Sequence, residues 1–310
     1  MVMGKPAQAA WGILVLGLAA LGGCGKPILS VSDTVQIGDN RTLLMGYAER
    51  SDLRGRWSAA PGVRITYLVD GKVVGSAVSD AHGFAGLRVP VPTDARGFVA
   101  QAEMGGQKLD AQGVIFHWSA DRTIVVFDID GTISWTDYPR LYVGKSNEGT
   151  VPIEHASQTL KQLSSRYNIV YLSARPRELL ALTKQWLKEY DFPAGPLIAA
   201  SSVDQGLHAE MFKTRTLREA REHAPQVLIG VGNLESDAEA YGANHMLALI
   251  RHKTDDKEFR AHAIIFPDWT GIAQFFEANA GVLENPAALA KAIAEGRMLL
   301  QPQFPYSPRP

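Results

Sequence analysis

Thr123-Ile124-Val125-Val126-Phe127-Asp128-Ile129-Asp130-Gly131-Thr132 is the stretch that decides the fold. A continuous apolar, β-branched run reads as a strand buried on both faces, and this one ends on two carboxylates and a glycine. Further runs of the same kind lie at 168–172, 196–200, 227–231, 245–250 and 263–266. Helical stretches at 153–165, 177–189, 211–223 and 236–241 separate several of them. Such alternation implies an α/β fold, a parallel sheet with helices on both faces. Ligands in such sheets bind beyond the carboxyl ends of the strands.

The chemistry-bearing residues fall at those ends. Asp128 and Asp130, two residues apart, leave an extended strand on the same side, and Gly131 lets the backbone turn sharply. Close carboxylates repel, so ionising both calls for a cation. Hard oxygen donors with room for phosphate and water suit Mg²⁺. The second run leads into Ser173-Ala174-Arg175-Pro176. This predicts a hydroxyl where the next helix begins, with Pro176 in a first turn whose free N–H groups favour an anion. A helix after the third run carries Phe212-Lys213, and the fourth run leads into Gly232-Asn233-Leu234-Glu235-Ser236-Asp237. Asn233 and Asp237 are placed to complete a metal shell or to orient its waters. Singly, each has a plainer reading: Ser173 a helix cap, Lys213 a solvated helix face, Asn233 and Asp237 a turn and a cap. Their order, each after a strand or on the expected helix, favours catalysis.

Together these segments resemble the four motifs of the haloacid-dehalogenase phosphatase superfamily. Asp128-Ile129-Asp130-Gly131-Thr132-Ile133, Ser173-Ala174-Arg175, Phe192-Pro193-Ala194-Gly195-Pro196, Phe212-Lys213, and Gly232-Asn233 with Asp237 and Tyr241 resemble the lipin-type phosphatidate phosphatase domain across residues 121–267. The resemblance implies a Rossmann-like, haloacid-dehalogenase-like fold, Mg²⁺ as cofactor, and phosphatidate or a related lipid phosphate as substrate. It implies Asp128 as nucleophile and Asp130 as general acid and then base. Ser173 and Lys213 would hold the phosphoryl oxygens, with Thr132, Ala174 and Arg175 beside them. Asp128, Asp130, Asn233 and Asp237 would serve the metal. An Arg usually follows the Asn of the fourth motif in that family, whereas Leu234 stands here. The same motifs would serve a periplasmic phosphatase of soluble phosphomonoesters, or a phosphatidate-binding module without turnover. Between the first two motifs, Trp135, Tyr138, Arg140, Tyr142 and Lys145 read either as an aromatic and basic lip for lipid headgroups or as an ordinary surface loop. Gly144-Lys145-Ser146 is not a nucleotide-binding loop, because Pro139 occupies the place of its earlier glycine.

Upstream, residues 30–118 show short alternating strands and turn signals such as Asp70-Gly71. They predict a small antiparallel β-sandwich of immunoglobulin-like type, acting as a spacer or binding an unidentified partner. Residues 1–24 form a secretion signal, with Lys5 before an apolar stretch at 9–20. Leu21-Gly22-Gly23-Cys24 resembles the lipobox of bacterial lipoproteins. The resemblance implies acylation of Cys24 and membrane anchoring at the periplasmic face of the cell envelope. Gly25, where an Asp would resemble an inner-membrane retention signal, points to the outer membrane. An ordinary signal peptide with an incidental cysteine is the alternative. The phosphatase domain is expected over 121–275, and residues 276–310 as a helical end with a proline-rich tail. The single cysteine excludes an intramolecular disulfide and an all-cysteine zinc site. A net charge of −1 argues against a general nucleic-acid binder.

Overall fold

The computed structural model describes residues 25–38, 41–52, 56–200, 208–253 and 263–296. Cys24 and its signal segment and the tail at 301–310 lie outside the described residues, and the helix expected at 287–300 is corrected to end at Ala294, where Gly296 turns the chain at φ 62°. Among the described residues, no helix is long and apolar enough to cross a membrane.

The N-terminal half contains β1 (Lys26–Ser32), β2 (Thr34–Ile37), β3 (Thr42–Ser51), β4 (Trp57–Ala59), β5 (Arg64–Val69), β6 (Lys72–Val78), β7 (Phe84–Val89), β8 (Gly97–Met104) and β9 (Gln107–Trp118). One sheet runs β1-β3-β4 with β7 on β3, and the other runs β2-β9-β8-β5-β6. Alternating residues of both sheets, among them Leu44, Ala48, Ile65, Tyr67 and Phe98, fill a single core. Asp70 and Gly71 both adopt positive φ, as the two-residue turn between β5 and β6 requires. The expectation of a wholly antiparallel arrangement is corrected at one pairing, because β2 lies parallel to β9. β1 and β2 are one extended run that changes sheets at Asp33, so β2 reaches β9 without a hairpin. The Asp33 carboxylate pins that change by accepting the Val114 N–H at 3.1 Å.

The second half contains β10 (Ile124–Phe127), β11 (Ser134–Trp135), α1 (Tyr138–Tyr142), β12 (Val151–Pro152), α2 (Ala156–Ser164) and β13 (Asn168–Pro176). There follow α3 (Leu180–Glu189), β14 (Leu197–Ala200), α4 (Ala209–His223), β15 (Val227–Gly232), α5 (Glu235–Ala243), β16 (Leu247–Arg251) and β17 (Ile264–Phe266). The last helices are α6 (Trp269–Ala278), α7 (Ala280–Leu283) and α8 (Pro286–Ala294). Six strands form a parallel sheet in the order β14-β13-β10-β15-β16-β17. Successive residues of β10 serve opposite faces, with Val125 and Phe127 packing in one cluster and Ile124 and Val126 in another. Burial on both faces is why the strand reads as an unbroken apolar run.

Several boundaries differ from the sequence reading by one to three residues, as where α2 begins at Ala156 rather than 153, and two of the differences have a clear local cause. β13 continues through Ser173-Ala174-Arg175-Pro176, with Pro176 paired to Ala200. A 3₁₀ turn at Arg177–Leu179 then precedes α3, so Pro176 lies before the first turn rather than in it, at ψ 152°. β16 begins at Leu247, two residues later than expected, because His245 takes a left-handed conformation at the end of α5. The halves are joined by buried charge. Arg177 donates to Glu49 at 2.9 Å, and its guanidinium stacks 3.7 Å from the Tyr47 ring. Lys184 pairs with Asp33 at 2.7 Å.

Candidate active site

From β10 the chain proceeds outward through β13 and β14, then returns to β15 on the other side of β10. Such a reversal opens a crevice between neighbouring carboxyl ends, here those of β10 and β15. The Asp128 N–H donates to the Val231 carbonyl and fixes Asp128 in that crevice. Gly131 turns the loop at φ 79°, and a Cβ there would lie 2.5 Å from the Asn233 amide nitrogen. Glycine is therefore required both by the turn and by the approach of the two loops.

A first cluster surrounds Asp128. Lys213, from the first turns of α4, places Nζ 2.6 Å from Asp128 Oδ1 and 2.6 Å from Asp237 Oδ1. The Thr132 hydroxyl lies 2.8 Å from Asp128 Oδ2 and 2.9 Å from Asn233 Oδ1. Asp237 Oδ2 accepts the backbone N–H groups of Asn233 and Leu234 at 2.9 and 3.0 Å, which ties the fourth-motif loop to the start of α5. Asp128, Lys213 and Asp237 are all buried. Burial pushes the Asp128 carboxyl up, Lys213 opposes that, and Asp237 and Asp130 add to it. Burial alone would push the Lys213 ammonium down, but Asp128 and Asp237 outweigh it and hold Lys213 charged.

A second cluster holds Asp130. Arg175 grips it through Nη2 at 2.8 Å to Oδ1 and Nε at 3.0 Å to Oδ2. Thr136 donates to Oδ1 at 2.5 Å, and Ser173 donates to Oδ2 at 3.4 Å. Arg175 is itself fixed by a 3.1 Å bond to Thr183 on α3. Ala174 lies half-buried between Ser173 and Arg175. Arg175 thus turns toward the acidic loop and holds a carboxylate, Ser173 bonds that same carboxylate, and Lys213 is the one of the three that bonds Asp128.

The sequence pattern did not single out three neighbours. Trp269, fully buried, donates from Nε1 to the Thr132 carbonyl at 2.9 Å. Thr136 supports Asp130, and Arg251 donates to the Gly131 carbonyl at 2.5 Å. Arg251 ends β16, so the strand-end rule that located the other residues would also have found it. Tyr138 and Tyr142 of α1 stand close enough to feel the site. Their phenols are pushed up to about 12, by burial first and then by Asp130.

The donor set fits a hard divalent cation. Asp128 Oδ1 and Asp237 Oδ1 converge on a single cationic atom, and Asn233 Oδ1 is linked to Asp128 through one hydroxyl. Among the described residues, no group of three or more His, Cys, Asp or Glu is spaced to hold a metal. Amide, water or substrate oxygens would therefore complete the shell, as Mg²⁺ favours.

Residues 93–249 match the family model LNS2 (Lipin/Ned1/Smp2). The match begins before the lipin-type resemblance at residue 121, inside the segment leading to β8. Phosphatidate phosphatase LPIN3 of Homo sapiens is 30% identical over 152 residues, covering 42% of this chain and 17% of that protein. Phosphatidate phosphatase LPIN1 of Homo sapiens is 29% identical over 115 residues, covering 34% of this chain and 12% of that protein. The chain therefore spans less than a fifth of the length of these relatives. Among solved structures, a chain of the Pnkp1/Rnl/Hen1 RNA repair complex aligns with a TM-score of 0.37 at 15% identity, covering 44% of each chain. With half of its length matched by the family model, the chain belongs to the LNS2 (Lipin/Ned1/Smp2) family.

Proposed function

We propose that the chain is a phosphatase that cleaves a phosphomonoester through an aspartyl-phosphate on Asp128, with phosphatidate or a related lipid phosphate as substrate. The observation that carries this reading is the convergence of Asp128, Lys213 and Asp237 in one buried crevice, with Asp130 held beside them by Arg175. An Asp128 oxygen attacks phosphorus while the P–O bond to the leaving alcohol breaks. Asp130, having first taken up a proton from solvent, passes it to the departing alkoxide. Asp130 then accepts a proton from the water that attacks the acyl phosphate, and inorganic phosphate departs. Arg175 and Thr136 fix the plane of the Asp130 carboxyl for both transfers. Lys213 and Ser173 offset charge on the phosphoryl oxygens. Mg²⁺, held by Asp128 with Asn233 or Asp237, would screen the repulsion between Asp128 and the phosphate dianion.

The domain carrying these residues is read as haloacid-dehalogenase-like and the preceding pair of sheets as an immunoglobulin-like module. Cys24 is assigned the acyl anchor, which would hold the enzyme at the periplasmic face of a bacterial membrane, near its substrate at high effective concentration. The family match and the names of the relatives support the lipid substrate. Leu234, in the place of the family's usual Arg, favours keeping soluble phosphomonoesters as the second reading.

Phosphate release from phosphatidate in mixed micelles, compared with glycerol phosphate, each with Mg²⁺ and with EDTA, tests the reading. Mg²⁺-dependent release from phosphatidate alone is expected. Release from glycerol phosphate alone would overturn the substrate, and release from neither would leave a binding module.

A further inference from the structure

The grip on Asp130 is built on one stretch of chain, 175–184, which runs from the end of β13 into the start of α3. Arg175 reaches Asp130 through Nε and Nη2, and its Nη1 donates to the Thr183 hydroxyl at 3.1 Å. That hydroxyl gives its own proton to the Leu179 carbonyl at 2.9 Å, so it meets Arg175 as an acceptor. The plane of the Asp130 carboxyl is therefore set by where residues 175 and 183 stand.

Both residues stand beside an ion pair that crosses to the N-terminal sheets. Lys184, next to Thr183, donates to Asp33 Oδ1 at 2.8 Å and lies 2.7 Å from Oδ2. Asp33 is fixed in turn, at the change of sheets, by the Val114 N–H. Arg177, two residues after Arg175, pairs with Glu49 of β3 and stacks on Tyr47. The buried Arg177 Nε has no hydrogen-bond partner among the described residues, so Glu49 and Tyr47 are the contacts that orient this guanidinium. Glu178, the remaining charge of the stretch, pairs with Lys145 of its own half and adds no tie across. The Asp33 and Glu49 carboxylates are buried, so water does not stand in for either as a partner. Surface contact would suffice for a spacer, whereas buried pairs at both ends of the stretch hold it in one geometry.

We propose that the N-terminal sheets form part of the catalytic unit, with Asp33 and Glu49 as positioning residues that hold the stretch 175–184 and, through Arg175, the Asp130 carboxyl. The inference rests on the reading of Asp130 as proton donor to the departing alkoxide. A donor must stay within hydrogen-bond reach of the oxygen it serves, and a displacement of about 1 Å costs about 100-fold in rate. Loss of either tie lets the stretch shift, and Asp130 follows Arg175. Asp128 and Lys213, built on β10 and α4, stay in place. The expected defect is therefore selective for proton transfer rather than for the attack on phosphorus.

The test compares leaving groups in the full chain carrying Cys24→Ala. The quantity read is kcat/KM, which covers the steps up to departure of the alcohol. It is measured on p-nitrophenyl phosphate, whose phenolate departs without a proton, and on short-chain phosphatidate and glycerol phosphate, whose alkoxides need one. Glu49→Ala and Lys184→Met each cut one tie, Lys184→Arg keeps it, and Met104→Ala loosens the N-terminal core without touching either. The two cutting variants should lower kcat/KM on the alkyl esters by about 10-fold or more, and on p-nitrophenyl phosphate by less than about 2-fold, since a positioned general acid supplies about 10²- to 10⁴-fold. Lys184→Arg and Met104→Ala should leave the ratio of the two values unchanged. A ratio unchanged in both cutting variants, or shifted as far in Met104→Ala, would overturn the proposal. Lys184 is 36% exposed, so its variant folds even where Glu49→Ala does not. A second readout needs no turnover: the Arg175 Nε–H resonance of the ¹⁵N-labelled chain, identified by its loss in Arg175→Lys. It should move or broaden in the two cutting variants and hold in Met104→Ala. If the parent hydrolyses neither alkyl ester, the functional reading fails, and an Arg175 resonance unchanged in both cutting variants would overturn this inference separately.

Discussion

Replacing Glu49 should loosen the chain more than any surface substitution, because it strips the partner from a buried cation. Glu49 and Arg177 are 3% and 4% exposed at their side chains and meet at 2.9 Å. The second Glu49 oxygen accepts from Ser30 at 3.1 Å, so the carboxylate serves both Arg177 and its own sheet. In Glu49→Ala the guanidinium keeps only its stacking on Tyr47, worth up to about 2 kcal/mol when desolvated. Removing one member of a buried pair typically costs about 3–5 kcal/mol, since the remaining charge stays uncompensated. With a urea slope of about 1–3 kcal/mol per molar, the midpoint should fall by about 1 M or more. The paired change Glu49→Leu with Arg177→Met removes both charges and should recover most of that loss. Arg177 follows Pro176 directly, and Arg175 two residues earlier holds Asp130, so the single variant should also lower kcat. Urea unfolding by circular dichroism, beside phosphate release, checks both. A single variant within about 0.5 kcal/mol of the parent would refute the reasoning, because it would behave as a surface change. So would a double variant less stable than the single one.

Asp128→Asn should abolish phosphate release while the circular dichroism spectrum and a cooperative melt persist, since Lys213 keeps Asp237 as a partner. The same variant tests the electrostatics. Asp128 is raised from 3.8 to about 6 by burial, so between those values the folded chain binds more protons than the unfolded one. In EDTA its contribution should make stability fall as pH rises through that window, and Asp128→Asn should flatten the difference in melting temperature. Arg175→Lys replaces a two-point grip on Asp130 with one point charge and should lower kcat by about 10- to 100-fold, with a smaller change in KM. Cys24→Ala should move the protein from the membrane to the soluble fraction on cell fractionation, and unchanged retention would remove the acyl anchor.

What could be read from the chain beforehand follows the range of each interaction. β10 was legible because a strand covered on both faces needs apolar residues at every position, and Ile124–Phe127 supplies them. Asp128, Ser173, Lys213 and Asp237 were legible as residues at strand ends or on the helix expected beyond them. The short hairpin of Ser134–Trp135 and Val151–Pro152 left no trace, because two-residue strands are too brief to show alternation. The start of α3 was misread for a local reason, since Pro176 extends β13 and the helix must wait for a 3₁₀ turn. Glu49 and Arg177 are 128 positions apart, so nothing near either residue announces the pair. Each would pass for an ordinary surface charge until the two halves are brought together. A pattern along the chain reports the face a residue must present, whereas the identity of its partner depends on how distant faces meet. The grip of Arg175 on Asp130 falls on that side of the line as well. The sequence offers Arg175 as a candidate for phosphate, and the turn of Asp130-Gly131 places a carboxylate in its reach first.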